Sequence, residues 1–188
     1  GQNNVQGAAD MGCQPHQGAG YFEVADEKVQ NFYTEKYGVV HPTKQGLKIP
    51  EMFDGAINKD VKAVWIIGED IVQTDPNSAH VVQAMNSLEL LVVQEIFMSE
   101  TAKLATVVLP GTTFLEKNGT FTNTERRIQR VNQAVPPLPG TKTDGMIVTD
   151  MMQKLGFDQP TYDADQVLAE IADIVPFFKG VTRERLGK

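Results

Sequence analysis

Two short acidic segments stand directly after apolar runs, an arrangement that lets carboxylates meet a polar ligand at the end of a strand. Gly68-Glu69-Asp70-Ile71-Val72-Gln73-Thr74-Asp75 follows the run KAVWII at 62–67. Gly68 permits a tight turn and a close backbone approach. Glu69 and Asp70 offer carboxylates to sugar hydroxyls or to the N–H edge of a purine, and Thr74 offers a hydroxyl. An acidic surface loop accounts for the same residues equally well. Gln94-Glu95 closes the next run, LELLVV at 88–93. An acidic residue at such a strand end suits ribose hydroxyls, although an ordinary strand-end loop is the alternative. Arg126, Arg127 and Arg130 lie close together and can hold a phosphate, but a solvated face or a subunit contact accounts for them better. Other chemistries lack their residues. There is no GxGxxG, no P-loop and no GxSxG elbow. The single Cys13 can form no internal disulfide and hold no cluster or zinc by itself. His16, His41 and His80 show no ligand spacing.

The elements that must position these residues are legible as runs and breakers. The apolar runs at 62–67, 88–93 and 106–109 end at Gly68, Gln94 and Pro110. Short Val/Ile-rich runs bounded in this way read as buried strands. A helix is expected at 77–87 between the first two, and a shorter one opening near Ser99, its candidate cap, between the second and third. Strand–helix alternation implies parallel strands joined by crossovers, with all C-terminal ends on one edge. Ligands of open α/β sheets bind at that edge, so 68–74, 94–97 and 110–113 should converge there. The expected fold is α/β: a parallel sheet with helices on both faces, a Rossmann-like three-layer domain. Further helices are expected at 26–37, from Pro50, at 144–155 and at 165–175. The first twenty residues, with five glycines, read as irregular. Asn118-Gly119 reads as a two-residue turn between extended stretches, and Pro136, Pro137, Pro139 and Gly140 mark a break.

Composition narrows the functional class. The 188 residues are 41% hydrophobic and carry a net charge of −7. A single packed domain over 1–188 is expected, and nucleic acid is excluded as a partner because phosphate binding requires a basic face. No apolar run approaches the roughly 20 residues of a membrane span. The chain begins at Gly1 without an initiator Met and is expected to be a piece of a longer one.

Four motifs in one order, GQNNVQGAADMG, IIGEDIVQTDP, LLVVQEIFMSETAKLATVVLP and EKNGTFTNTERRIQR, resemble the large subunit of bacterial formate dehydrogenases within the molybdopterin guanine dinucleotide oxidoreductases. The resemblance covers nearly the whole chain and is weakest at 14–60 and after 156. It implies an α/β domain around one guanine dinucleotide arm of a bis-pterin cofactor that carries molybdenum or tungsten. The parent enzyme would oxidise formate to CO2, or run the reverse. Position by position, it implies cofactor contacts at Asp70, Thr74, Gln94 and Asp144. Gly68, Glu69, Glu95 and Lys142 are neighbours, and Gln2 lies near the active-site side. It also implies that the cysteines of a 4Fe–4S cluster, the metal-ligating Cys or selenocysteine, the His after it and the formate-pairing Arg all stand outside this sequence. No catalytic or metal-ligating residue is therefore expected here, and this chain alone is expected to be inactive. The implied partners are the remaining domains of the parent subunit and its electron-transfer subunits, with the cytoplasm as the expected compartment. Asp70→Ala is expected to cost cofactor with little effect on the fold. The sequence departs from the family's habit at Thr106, usually acidic, and at Gly145, usually Trp. The alternatives are another family member, such as a nitrate reductase or the large subunit of complex I, and a non-catalytic partner-binding module.

Overall fold

The structure, a computed structural model, describes residues 3–187. Along the chain run α1 (Val5–Asp10), α2 (Glu27–Tyr37), α3 (Ile49–Ile57), β1 (Ala63–Ile67), α4 (Ile71–Thr74), α5 (Ser78–Ser87), β2 (Leu90–Glu95), β3 (Val107–Pro110), β4 (Gly119–Thr122), β5 (Ile128–Val131), α6 (Asp144–Lys154), α7 (Ala164–Ile174) and α8 (Arg183–Leu186). Single 3-10 turns lie at Ala102–Leu104 and Phe114–Glu116. The packing divides the chain into two compact units, one of 48–117 and 132–162, the other of 1–47, 118–131 and 163–188.

The first unit holds the sheet expected from the apolar runs. Its three strands stand in the order β1-β2-β3, all parallel, with Val64 beside Leu91 and Val93 beside Val108. Side chains alternate across a strand. Val64, Ile66, Leu91, Val93 and Val108 therefore share one face, and they pack with Phe53 and Ala56 of α3 and Val81, Ala84 and Met85 of α5. Burying each such aliphatic side chain contributes roughly 1.5–3 kcal/mol. The opposite face carries Trp65, Val92, Gln94 and Leu109. There Gln94 reaches Asp144 at the start of α6, and Leu109 lines a cavity together with Ile147 and Met151 of the same helix. Both faces thus meet helices, and the α/β expectation holds.

Caps fix the helices where the sequence places them. Asn77 accepts a hydrogen bond from the N–H of His80 to open α5, and the N–H of Lys48 donates to Glu51 at the start of α3. The helix expected near Ser99 is only the 3-10 turn Ala102–Leu104. Ser99 Oγ does accept from the N–H of Ala102 at 3.1 Å, but residues 96–106 leave no room for a full helix and two connections.

The second unit corrects two expectations. The glycine-rich start is not wholly irregular, because α1 forms there. Gly7 is required by close approach: a Cβ on it would lie 2.1 Å from Asn4 Oδ1, the atom that accepts from the N–H of Thr122. The Asn118-Gly119 pair is not the hairpin turn. Gly119 pairs with Val131 at the open end of the antiparallel β4–β5 ladder, and the chain reverses at 123–127. There Asn123 Oδ1 accepts from the N–H groups of Glu125 and Arg127, and Arg126 sits in the left-handed region with φ 59°. Leu168, Val175 and Phe178 form the core of this unit, with Ile128 and Leu186 packed against it. Lys36 and Tyr37 of α2 reach Asp173 and Glu170 of α7 at 2.8 Å each.

Gly145 is held to glycine by a close approach. The Tyr162 ring crosses the first turn of α6, and a Cβ at Gly145 would meet its carbons at 2.1–2.6 Å. A helical Gly→Ala change ordinarily stabilises by about 0.5–1 kcal/mol. Here Gly145→Ala is expected to bring no gain, whereas in a Tyr162→Ala background it should recover the full amount. Denaturant midpoints of the four variants check this, and equal effects in both backgrounds would refute the packing account.

Candidate functional site

The C-terminal edge of the parallel sheet gathers the loops after β1, β2 and β3, as parallel geometry requires. The tightest junction lies between β2 and α6. Gln94, 1% exposed, points away from the Leu91/Val93 core, and its Nε2 donates to Asp144 Oδ1 at 2.7 Å. The other oxygen of Asp144 is paired with the Lys117 ammonium. Lys117 also donates to the carbonyl of Thr112 at 3.4 Å. Gly111, with its N–H on the carbonyl of Glu95 at 3.0 Å, brings the loop after β3 alongside. Thr143 caps α6 by accepting from the N–H of Met146, so Asp144 sits in the first helical turn, where the helix dipole favours a carboxylate. Two buried polar atoms in this cluster have no partner: Gln94 Oε1 and Thr112 Oγ1. Buried groups without partners are uncommon in folded proteins, and at a ligand edge they match groups that a ligand would satisfy.

Glu69 and Thr74 form a second group. The Thr74 hydroxyl donates to Glu69 Oε1 at 2.5 Å, and Gly68, at φ 65°, donates its N–H to the carbonyl of Gln94 at 2.9 Å. That bond extends the β1–β2 ladder by one residue and starts the loop directly beside Gln94. Glu95 turns its carboxylate onto the N–H of Ile96 at 2.7 Å.

Asp70 is engaged by the protein itself. Its Oδ1 accepts from the N–H and the hydroxyl of Thr101 at 2.9 and 2.7 Å, and its Oδ2 accepts from Gln73 Nε2 at 2.6 Å. Thr101, fully buried, passes the link on by accepting from the N–H of Val72 at 3.1 Å. Asp70 thereby ties the loop after β1 to the crossover between β2 and β3. Desolvation pushes its carboxyl up, but the Thr101 hydroxyl, the Thr101 and Glu100 amides and the Gln73 side chain outweigh it and hold the group below its ordinary value. Asp75 accepts from the N–H of Asn77, so the following helix is capped by Asn77 and only buttressed by Asp75.

Lys142 lies beside the edge cluster, not inside it. It pairs with Asp150 at 2.5 Å and lines a cavity of about 290 Å³ with Leu109, Pro110, Gly140, Ile147, Met151 and Lys154. Gln2 lies outside the described residues. The structure therefore brings Gln94 and Asp144 together, sets Gly68 beside Gln94 through the ladder, pairs Glu69 with Thr74 in the loop that follows, and gives Asp70 and Lys142 partners of their own. Sequence reasoning placed Thr112 only as part of the converging segment 110–113, and gave Lys117 no role beyond its place in the EKNGTFTNTERRIQR motif. No group of three or more His, Cys, Asp or Glu able to hold a metal ion occurs among the described residues.

These contacts revise what Asp70→Ala should do. Removing the carboxylate leaves the buried Thr101 donors unpaired, which costs about 1–3 kcal/mol of stability, so the fold should weaken. The acid dependence follows from the lowered group. Its contribution is complete above the ordinary carboxylate value and is lost as pH falls through the depressed folded value. Denaturant midpoints followed from neutral pH into acid should fall more for the native protein than for Asp70→Ala. Parallel curves at all pH values would contradict this role.

Comparison with known proteins places the chain. The model of the molybdopterin oxidoreductase family matches residues 2–154. The chain is 43% identical over 188 residues to the F420-dependent formate dehydrogenase subunit alpha of Methanocaldococcus jannaschii, covering 99% of this chain and 28% of that protein. It is 44% identical over 191 residues to the F420-dependent formate dehydrogenase 1 subunit alpha of Methanococcus maripaludis, covering 100% and 28%. Acetylene hydratase from Pelobacter acetylenicus shares the fold, with a TM-score of 0.61 at 20% identity over 84% of this chain and 22% of that one. The chain spans between 19% and 28% of the length of the curated relatives it matches. With a family match that runs from the opening motif through all three strands of the sheet to the end of α6, the chain belongs to the molybdopterin oxidoreductase family.

Proposed function

We propose that residues 1–188 act as one cofactor-binding domain in the catalytic subunit of a formate dehydrogenase, gripping a guanine dinucleotide arm of a molybdenum or tungsten bis-pterin. The observation that carries this reading is the junction at the sheet edge, where the Gln94–Asp144 hydrogen bond stands beside two buried atoms without partners, Gln94 Oε1 and Thr112 Oγ1. The donor set fits such a ligand. A guanine edge and a ribose are rich in N–H and O–H donors, and this edge offers acceptors: the Asp144 carboxylate, the Gln94 carbonyl and the Glu69 and Glu95 carboxylates. Gly68 keeps the backbone close at the same place. Lys142 and its helix-borne partner Asp150 stand at the flank, where a partly exposed ammonium can meet a phosphate.

When bound, such a cofactor would supply the two-electron redox chemistry by which formate becomes CO2 and a proton. The residues of this chain hold and orient the nucleotide end, which fixes the reach of the pterin toward the rest of the subunit. Formate chemistry is favoured over the other family activities by the relatives from Methanocaldococcus jannaschii and Methanococcus maripaludis, which are F420-dependent formate dehydrogenase alpha subunits. In the parent, a 4Fe–4S centre and separate electron-transfer subunits would carry the electrons away, in the cytoplasm. No helix among the described residues is long and apolar enough to cross a membrane.

In the full-length parent, Asp144→Ala should lower affinity for the cofactor about five- to a hundredfold, the effect of leaving one ligand donor unpaired. Metal and guanine nucleotide per polypeptide measure this directly. An Asp144→Ala parent that keeps its full complement would remove the sheet edge from the cofactor site. This chain alone should give no formate-dependent dye reduction, and a dialysis-resistant signal from it would overturn the division of labour described here.

A further inference from the structure

The Lys117–Asp144–Gln94 relay decides which end of an amide the sheet edge offers, a question that the nucleotide-site reading leaves open and on which this inference rests. A glutamine side chain carries a donor at one end and an acceptor at the other, and the two ends have nearly the same shape. Gln94 is 1% exposed, so whichever end does not face Asp144 is a buried, desolvated group with high consequence for any ligand. An ionised carboxylate only accepts, and an ammonium only donates. Lys117 takes Asp144 Oδ2, and Gln94 Nε2 takes Oδ1 at 2.7 Å. The amide is then fixed with its N–H2 toward the carboxylate and with Oε1 as the remaining acceptor, the atom that has no partner within the protein.

We propose that Lys117 is a positioning residue for the sheet-edge site: by pairing with Asp144 it holds the Gln94 amide in the orientation that presents an acceptor, and so selects a ligand group bearing an N–H or O–H donor. The placement of Lys117 suits this role. Its side chain is 25% exposed, less than the 42% of Asp144, and its second contact, to the carbonyl of Thr112, anchors it on the loop that also carries the unpartnered Thr112 hydroxyl. Without the ammonium, Asp144 keeps the favourable field of the helix start but is no longer held from both sides. It can turn, and the amide can turn with it.

The test uses the full-length holoenzyme and reads guanine nucleotide and metal retained after dialysis. Lys117→Met should lose about tenfold in retention, the scale of one hydrogen bond to a charged group. Lys117→Arg should restore most of it. A double-mutant cycle separates this role from a merely structural one. If Lys117 acts through the amide, Lys117→Met adds less than about twofold in a Gln94→Met background. Should Lys117→Met fail to fold, Lys117→Gln, which keeps a polar side chain without the charge, is read by the same criterion. Full retention in the Lys117 variant, or losses that add independently of Gln94, overturns the proposal while leaving the sheet-edge site intact. Full retention in Asp144→Ala overturns the site itself.

Discussion

The central strand β2 is hydrogen-bonded on both of its edges and covered on both of its faces, and this confinement organises everything near the site. A strand so placed can change register only by moving every side chain to the wrong face. Leu91 and Val93 are committed to the α3–α5 core, so Gln94 is committed to the other side by alternation alone. The strand also ends where its neighbours end, since Ile67 stands beside Gln94 and Glu95 beside Pro110. A polar amide is thereby delivered, nearly sealed from water, to the rim of an otherwise apolar sheet. Such a group is costly to bury without partners, and the arrangement of Asp144, Lys117 and Thr112 around it answers that cost on one side only.

The carboxylates of this edge have separate tasks because their surroundings differ. Asp70 follows a sheet strand and Asp144 opens a helix, and the family resemblance implies a cofactor contact for each. Asp70 is met by backbone and hydroxyl donors from the 99–104 turn, so its work is to close the loop after β1 onto the crossover. Asp144 is met by one amide and one ammonium, both side chains, which a ligand can supplement or compete with. The distinction lies in the partner type. Main-chain donors are part of the fold, whereas side-chain donors can be rearranged.

Much of this was legible in the sequence. The three strands announce themselves as short Val- and Ile-rich runs closed by Gly68, Gln94 and Pro110, and the convergence of their ends follows from parallel topology. Asp26, Asn77 and Asp163 cap helices that periodicity alone places. The failures have physical causes. Asn118-Gly119 has the composition of a tight turn, yet Gly119 is drawn into the ladder opposite Val131 while the side chain of Asn123 makes the reversal. Gly7 resembles a loop residue because sequence cannot reveal that Asn4 will fold against it. The contacts of Thr112 and Lys117 were hidden for a different reason. Their roles exist only once Gln94 and Asp144, 50 positions apart, have come together, and no local pattern encodes that meeting.

The β4–β5 hairpin belongs to one compact unit while the chain on either side of it belongs to the other, and this has a consequence for how the molecule is made. Neither unit is a continuous stretch of sequence. On a ribosome the sheet can assemble early, but α6, which covers its second face, emerges only after the hairpin has left for the other unit, and the hairpin waits in turn for 163–188. Contacts of such long sequence separation form slowly and leave surfaces open in the interval. The sheet edge and one sheet face would therefore stay open until residues 144–154 have been made and packed, an interval in which a chaperone can reach the surface that α6 later covers.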